Sequence, residues 1–254
     1  MRRICASVLP IAAVISLACT SNPQTESSAA SSTTTTTSST TDNMPMEGAR
    51  AVAGGGISAA GWTGRIDPGE AKRGQVLSNA KLASEGGGLH VTTGPAVAYW
   101  NPSNTATGNY TVKATFTEPQ YMNVNDHPHP YGIFIAGNDM GTDQQSYLYC
   151  AAYGSGDFIV RGFGPDPFQM NGRRGEANAA VHKAAGKGTP VTQDIAVSVA
   201  GDKVSCSING TVVASYNKAA VVGAGKLKST DGVYGVRFAH NTDGVVSGLT
   251  VTKP

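Results

Sequence analysis

From Trp62 to the C-terminus, short runs of β-branched and aromatic residues alternate with clusters of Gly, Asn, Asp and Pro, and no long amphipathic helix pattern interrupts them. Period-2 runs bounded by turn residues are the signature of strands. Strands are expected at 88–93, 96–100, 109–118, 131–136, 146–153, 157–163, 194–200, 203–208, 211–215, 233–239 and 245–251. Asn209-Gly210 lies between two of these runs, a two-residue type I′ hairpin signal, because both central residues there need positive φ. In 203–208, Val204, Cys206 and Ile208 share one face while Ser205 and Ser207 share the other, as a half-buried strand requires. The expected fold class is all-β, an antiparallel β-sandwich. The 32 glycines are explained as turn residues, and an apolar share of 40% is enough for a packed core. Residues 170–188 break the rhythm with Arg173, Arg174, Lys183 and Lys187 against Glu176; the expectation is a surface excursion with a short helix over 176–185.

The N-terminal residues are of another kind. Residues 1–18 read MRRICASVLPIAAVISLA: two arginines, then an uncharged, mostly apolar run too short for a membrane span of ~18 residues or more and interrupted by Pro10. That is the pattern of a secretory signal. It ends in Ser16-Leu17-Ala18-Cys19, which resembles the lipobox of bacterial lipoproteins, with Ser16 where the pattern has a Leu-like residue. The resemblance implies a lipid-anchored Cys19 in a bacterial cell envelope; ordinary signal cleavage with secretion is the alternative. Residues 19–61 are expected to be a disordered linker, since 16 of the 24 residues from Thr20 to Asn43 are Ser or Thr. A flexible coil of that size reaches ~25–30 Å, enough to hold a domain clear of a membrane. The folded domain is expected over 62–254. The net charge of +2 belongs to Arg2 and Arg3 of the signal, so the rest of the chain is neutral, which excludes nucleic acid as a partner.

Several residue groups are candidates for chemistry. With Tyr153 paired to Phe158, the hairpin over 146–163 puts Tyr147, Tyr149, Ala151, Tyr153, Phe158 and Val160 on one face, and Leu148, Cys150, Ala152, Ile159, Arg161 and Phe163 on the other. Neither face is polar, as expected of a sheet with one face in the core and the other lining a groove, and tyrosines suit both stacking and hydrogen bonding to sugars. Trp100, Tyr147, Tyr149, Tyr153 and Arg161 are the candidate ligand contacts; packing beneath loops is the alternative for the tyrosines. Asp126-His127-Pro128-His129-Pro130 holds the densest group of donors. Asp126, His127 and His129 are candidates for acid–base catalysis or for a loop that touches ligand, and two imidazoles one residue apart in an extended segment also suit a cation. Asp139 and Asp143, with Gly141 between them, are candidates for oxygen ligation of Ca²⁺, or for a simple Asx-turn. Cys150 and Cys206 are the cysteines of the folded domain; export permits a disulfide between them, and two buried thiols remain the alternative. No Gly-x-Ser-x-Gly elbow of a serine hydrolase is present.

The series Gly87-Gly88-Leu89-His90-Val91, Trp100-Asn101, Gly108-Asn109-Tyr110-Thr111-Val112, Tyr131-Gly132-Ile133-Phe134-Ile135 and Ser146-Tyr147-Leu148-Tyr149 resembles the concanavalin A-like lectin/glucanase superfamily, in particular bacterial domains related to laminin G modules and 3-keto-disaccharide hydrolases. The resemblance covers about residues 62–251. It implies a jelly roll of two curved sheets with a glycan-holding concave face, and calcium at a sheet rim as the one expected cofactor, none being required. A retaining glucanase of this superfamily would carry Glu-x-Asp-x-x-Glu on a strand, to set two carboxylates ~5 Å apart, and that string is absent. The expectation is an exported, lipid-anchored carbohydrate-binding β-sandwich, with a glycoside-cleaving hydrolase or a structural envelope protein as alternatives.

Overall fold

The computed structural model describes residues 48–254, so the signal segment, Cys19 and the linker up to residue 47 lie outside the described residues. In chain order the elements are β1 (Gly56–Ile57), β2 (Thr63–Ile66), α1 (Pro68–Lys72), β3 (Lys81–Glu85), β4 (Gly88–Thr92), β5 (Val97–Ala106), β6 (Tyr110–Glu118), β7 (Tyr131–Asn138), β8 (Ser146–Ala152), β9 (Asp157–Phe163), β10 (Pro167–Gln169), β11 (Glu176–Ala177), β12 (Val191–Ala200), β13 (Lys203–Ile208), β14 (Thr211–Asn217), α2 (Lys218–Val221), β15 (Gly232–Phe238) and β16 (Asp243–Thr252). Two sheets form. The first runs β1-β3-β4-β16-β6-β12-β13-β14, and the second runs β10-β9-β8-β7-β15-β5-β2 with β11 also on β9. Pairing is antiparallel throughout except for β1 with β3, so the fold is an all-β sandwich.

All eleven expected strands are present. The Asn209-Gly210 turn closes β13 onto β14 with φ of 50° and 80° at its two central residues. Asn209 does more than turn the chain: its side-chain oxygen accepts from the Asp194 N–H at 2.8 Å, and its amide donates to the Ala180 carbonyl and to Gln193 Oε1. In the first sheet the pattern is one-sided, with Tyr110, Val112, Ala114 and Phe116 of β6 and Ile195, Val197 and Val199 of β12 facing inward. Ile133, Ile135, Leu148 and Val236 of the second sheet meet them. β7 and β8 are instead buried on both faces, so the second sheet has a further apolar layer turned away from the core.

Three expectations need correction. First, ordered chain begins before Trp62: Val52 N–H donates to Asn79 O, Arg50 N–H to Asn241 Oδ1 at 2.9 Å, β1 pairs with β3, and Ala59 is buried. The glycines of 54–56 read as linker by composition, yet a Cβ at Gly55 would lie 1.9 Å from the Ser78 carbonyl oxygen, so this backbone is pressed against its neighbour. Second, no helix forms over 176–185; Glu176–Ala177 is β11, and the rest of the excursion is irregular, with Lys183 bridged to Ser155. Third, β1, β2, β3, β10 and β11 carry too few apolar residues in alternation to be seen as strands, and β1, β2 and β10 are short pieces at or near sheet edges.

Cys150 of β8 and Cys206 of β13 are joined by a disulfide with their Cα atoms 5.8 Å apart, which ties the second sheet to the first through the core. Glu118 ends the inward row of β6 and is 4% exposed, an acid at a core position. Its Oε1 accepts from the Met122 N–H at 3.1 Å, while Oε2 has no partner.

Candidate functional site

The site is built on the outward layer of the second sheet. Alternation along β5, β7 and β8 sends Tyr99, Ile133 and Leu148 into the core and their neighbours Trp100, Phe134, Tyr147 and Tyr149 the other way. The outward residues form one cluster: Phe134 and Tyr147 ring centroids lie 5.1 Å apart, Tyr147 and Phe163 5.1 Å, and Tyr147 and Tyr149 6.3 Å. Tyr153 and Met140 pack against it. Trp100, Tyr147, Tyr149 and Tyr153 are thus brought together on one face, where Tyr147 and Trp100 are only 1% and 5% exposed.

The expected pairing of the β8–β9 hairpin is off by one residue. Tyr153 N–H donates to Asp157 O across the three-residue turn Gly154-Ser155-Gly156, and the ladder runs through Ala152 opposite Phe158, Tyr149 opposite Arg161 and Tyr147 opposite Phe163. Since the side-chain period is two, a slip of one exchanges the faces of β9. Phe158 and Val160 therefore enter the core, while Ile159, Arg161 and Phe163 join the tyrosines.

Two arginines flank Tyr149. Arg161 faces it across the ladder and donates through Nη2 to the Arg173 carbonyl of the excursion. Arg237 of β15, a residue not anticipated from the sequence, places its guanidinium 5.5 Å from the Tyr149 ring centroid, within cation–π range. It is 6% exposed, pairs through Nη2 with Asp67 Oδ2 at 2.6 Å, and donates from Nη1 to the Val97 carbonyl at 3.0 Å. Burial pushes the Asp67 carboxyl above its ordinary value, against the pull of Arg237. The Nε–H groups of Arg161 and Arg237 are buried with no partner. An orphaned buried donor is costly, so two around one tyrosine ring mark where an acceptor would be stabilised. A charged residue inside the otherwise apolar run Val233–Phe238 was the available signal for Arg237.

A group of histidines lies where β15 ends and β7 begins. The Ala239 N–H donates to Pro130 O at 2.9 Å and Asn125 Nδ2 to Asn241 O at 2.8 Å, which hold residues 125–130 against residues 239–241. His129 Nδ1 lies 2.5 Å from the His240 carbonyl oxygen, His127 Nδ1 lies 2.5 Å from Asp126 Oδ1, and the two Nε2 atoms meet at 2.8 Å. His240 was not foreseen; its ring centroid is 4.1 Å from that of His129, and its Nδ1 is 3.9 Å from Glu70 of α1. Burial, followed by the charges of His127 and Arg237, pushes the His240 imidazole down to about 4, so it is neutral near pH 7. Asp67 and Glu70 belong to the same turn of chain, the first on Arg237 and the second near His240. The histidine group and the aromatic face therefore share one corner of the second sheet.

Asp139 and Asp143 are differently engaged. Asp139 pairs with Lys228, and Asp143 Oδ1 pairs with Arg65 at 2.5 Å, so each carboxylate is matched by a side-chain cation. The excursion borders a separate depression of ≈ 620 Å³ lined by Ser155, Asp157, Asn178, His182 and Lys183, where His182 Nδ1 is already bonded to the Thr192 carbonyl at 2.8 Å.

No protein-family model matches the sequence, and no curated protein matches it. Among solved structures, the carbohydrate-binding module CBM66 from Bacillus subtilis superposes with a TM-score of 0.50 at 9% identity over 78% of this chain and 99% of that one. A Bacillus subtilis protein of unknown function with a galectin-like fold gives 0.49 at 13% identity, covering 76% and 89%. An endo-β-1,3-glucanase from Pyrococcus furiosus gives 0.49 at 12% identity, covering 79% and 91%. The likeness to the first establishes a shared fold.

Proposed function

We propose that this protein binds a carbohydrate on the outward face of its second sheet, at the corner between Tyr149 and the histidine group. The observation that carries the reading is the pair of arginines with unpartnered Nε–H groups on either side of Tyr149, set in a layer of Trp100, Tyr147 and Phe163. Aromatic rings offer apolar surface to the C–H face of a sugar, and fixed donors select its hydroxyl or carboxylate oxygens. A module that shares the fold, CBM66, is a carbohydrate-binding one, which fits the same reading. The test is retention of the full chain on a broad glycan array. Arg161→Ala and Tyr149→Ala should each weaken it at least tenfold with an unchanged far-UV spectrum; an array without hits, or hits untouched by both substitutions, would overturn the reading.

A second reading has one observation in its favour, the presence of Asp126, His127 and His129 at the edge of the same face. In it the protein is a glycoside-cleaving hydrolase of the 3-keto-disaccharide kind, with these residues as acid and base. Release of free sugar from a 3-keto-disaccharide, lost in His127→Ala, would move the conclusion from binding to cleavage.

Export through residues 1–18 and anchoring in a bacterial envelope through lipidated Cys19 complete the proposal, and they rest on the sequence alone. Two acyl chains give a stable anchor where one does not. Cys19→Ala should transfer the protein from the membrane fraction to the soluble one; a variant that stays with the membrane refutes the anchor.

A further inference from the structure

We propose that His127, His129 and His240 form a site for one divalent transition-metal ion of the zinc type. Each of the three offers a ring nitrogen, and these atoms lie within 4.8 Å of one another; among the described residues this is the sole group of three metal-ligating side chains so placed.

The hydrogen bonds fix the tautomers of two of the rings. The His240 carbonyl can only accept, so His129 Nδ1, 2.5 Å away, must carry the proton. The Asp126 carboxylate likewise accepts, so His127 Nδ1 is the protonated nitrogen of that ring. The two Nε2 atoms face each other at 2.8 Å, so a single ion placed beside them is within reach of both rings and leaves room for a third ligand. His240 supplies that ligand from the end of β15, fixed by the Ala239–Pro130 bond to the chain that carries His129.

The surroundings have the form that metal-binding histidines require. A ligating imidazole nearly always donates its other N–H to a carboxylate or a backbone carbonyl, which sets its tautomer and raises its basicity. Asp126 does this for His127 and the His240 carbonyl for His129. Pro128 and Pro130 restrict the backbone on both sides of His129, which lowers the entropy lost on binding. Three neutral nitrogens select Zn²⁺, Co²⁺, Ni²⁺ or Cu²⁺ over Ca²⁺ and Mg²⁺, which demand oxygen. Tetrahedral zinc with bonds of ~2.0–2.1 Å needs nitrogens about 3.3 Å apart, a small adjustment of rings that already touch. Three protein ligands leave a fourth position for water or for an oxygen of a ligand.

The test uses the full chain, metal alone and no sugar, so it is independent of the proposed glycan binding. Titration calorimetry with Zn²⁺ in metal-free buffer should give one equivalent per chain at micromolar or tighter affinity. His127→Ala and His240→Gln should each weaken binding by about 30-fold or more, and Asp126→Asn by about tenfold as expected for an orienting partner. The two remaining histidines serve as controls: His90→Gln and His182→Gln should bind as the parent does. Co²⁺ should give the intense visible bands of a four-coordinate site. No binding below millimolar Zn²⁺, parent-like affinity in His240→Gln, or equal loss in His182→Gln would each overturn the proposal. His127 is exposed, so its variant keeps the test decisive even if buried His129 tolerates no change.

Discussion

Replacing Cys150 and Cys206 together by alanine is expected to lower the stability of the folded domain by about 4 kcal/mol. The bridge spans 56 residues, and closing a loop of that length in the denatured chain removes entropy that the reduced chain recovers on unfolding. For such a loop the chain-entropy relation gives about 4 kcal/mol at 25 °C, before the loss of two buried sulfurs is counted. The bridge joins β8 of the second sheet to β13 of the first, so no ladder hydrogen bond duplicates it. Urea midpoints of parent and double variant should therefore differ by ~1–4 M for slopes typical of a small domain. The parent measured in reductant separates the covalent part from the packing part and should fall close to the variant. Coincident midpoints with and without reductant would show that the bridge contributes nothing.

Stability should also fall as pH rises through neutrality, and Glu118 is the reason. It occupies the last inward position of β6, where Tyr110, Val112, Ala114 and Phe116 precede it in the row, and burial pushes its carboxyl up to about 7. The groups that face it are the Met122 N–H, which opposes the rise, and Asp243, Tyr121 and Tyr131, none of them a cation. The sign follows from proton counting. Between the unfolded value near 4.5 and the folded value near 7 the native state holds the proton more tightly than the unfolded chain, so raising the pH favours unfolding. The contribution is fully present below pH 4.5 and is lost through pH 7. From pH 5 to pH 8 the loss amounts to roughly 2 to 3 kcal/mol. Glu118→Gln keeps the shape and the Met122 contact but cannot ionise. The difference between parent and variant midpoints across this range isolates Glu118 from other groups, such as His240, whose depressed value acts in the opposite direction. Parallel pH profiles for the two proteins would refute the assignment.

Much of the fold was legible because β-strand information is local. Val204, Cys206 and Ile208 alternate with serines wherever one reads them, and Asn209-Gly210 states its turn in two residues. Local signals failed where one residue of register mattered. Whether Arg161 stands beside Tyr149 or inside the core depends on a turn of three residues rather than four, and composition does not distinguish Gly154-Ser155-Gly156 as either. They failed again at Gly54-Gly55-Gly56, where the same glycines that read as linker permit close backbone approach.

By itself, then, the sequence determined a two-sheet β architecture, a second sheet with apolar residues on both faces, and a histidine pair in a proline-held segment. The tertiary structure alone decided what meets them. Arg237 and Asp67 are 170 positions apart, His240 lies 111 from His129, and Cys206 lies 56 from Cys150. Strand alternation repeats every two residues and is written in neighbours. The partners of a charge, a metal ligand or a thiol are set by which strands lie side by side in the sheets, and pairings across such distances leave no periodic trace in the chain.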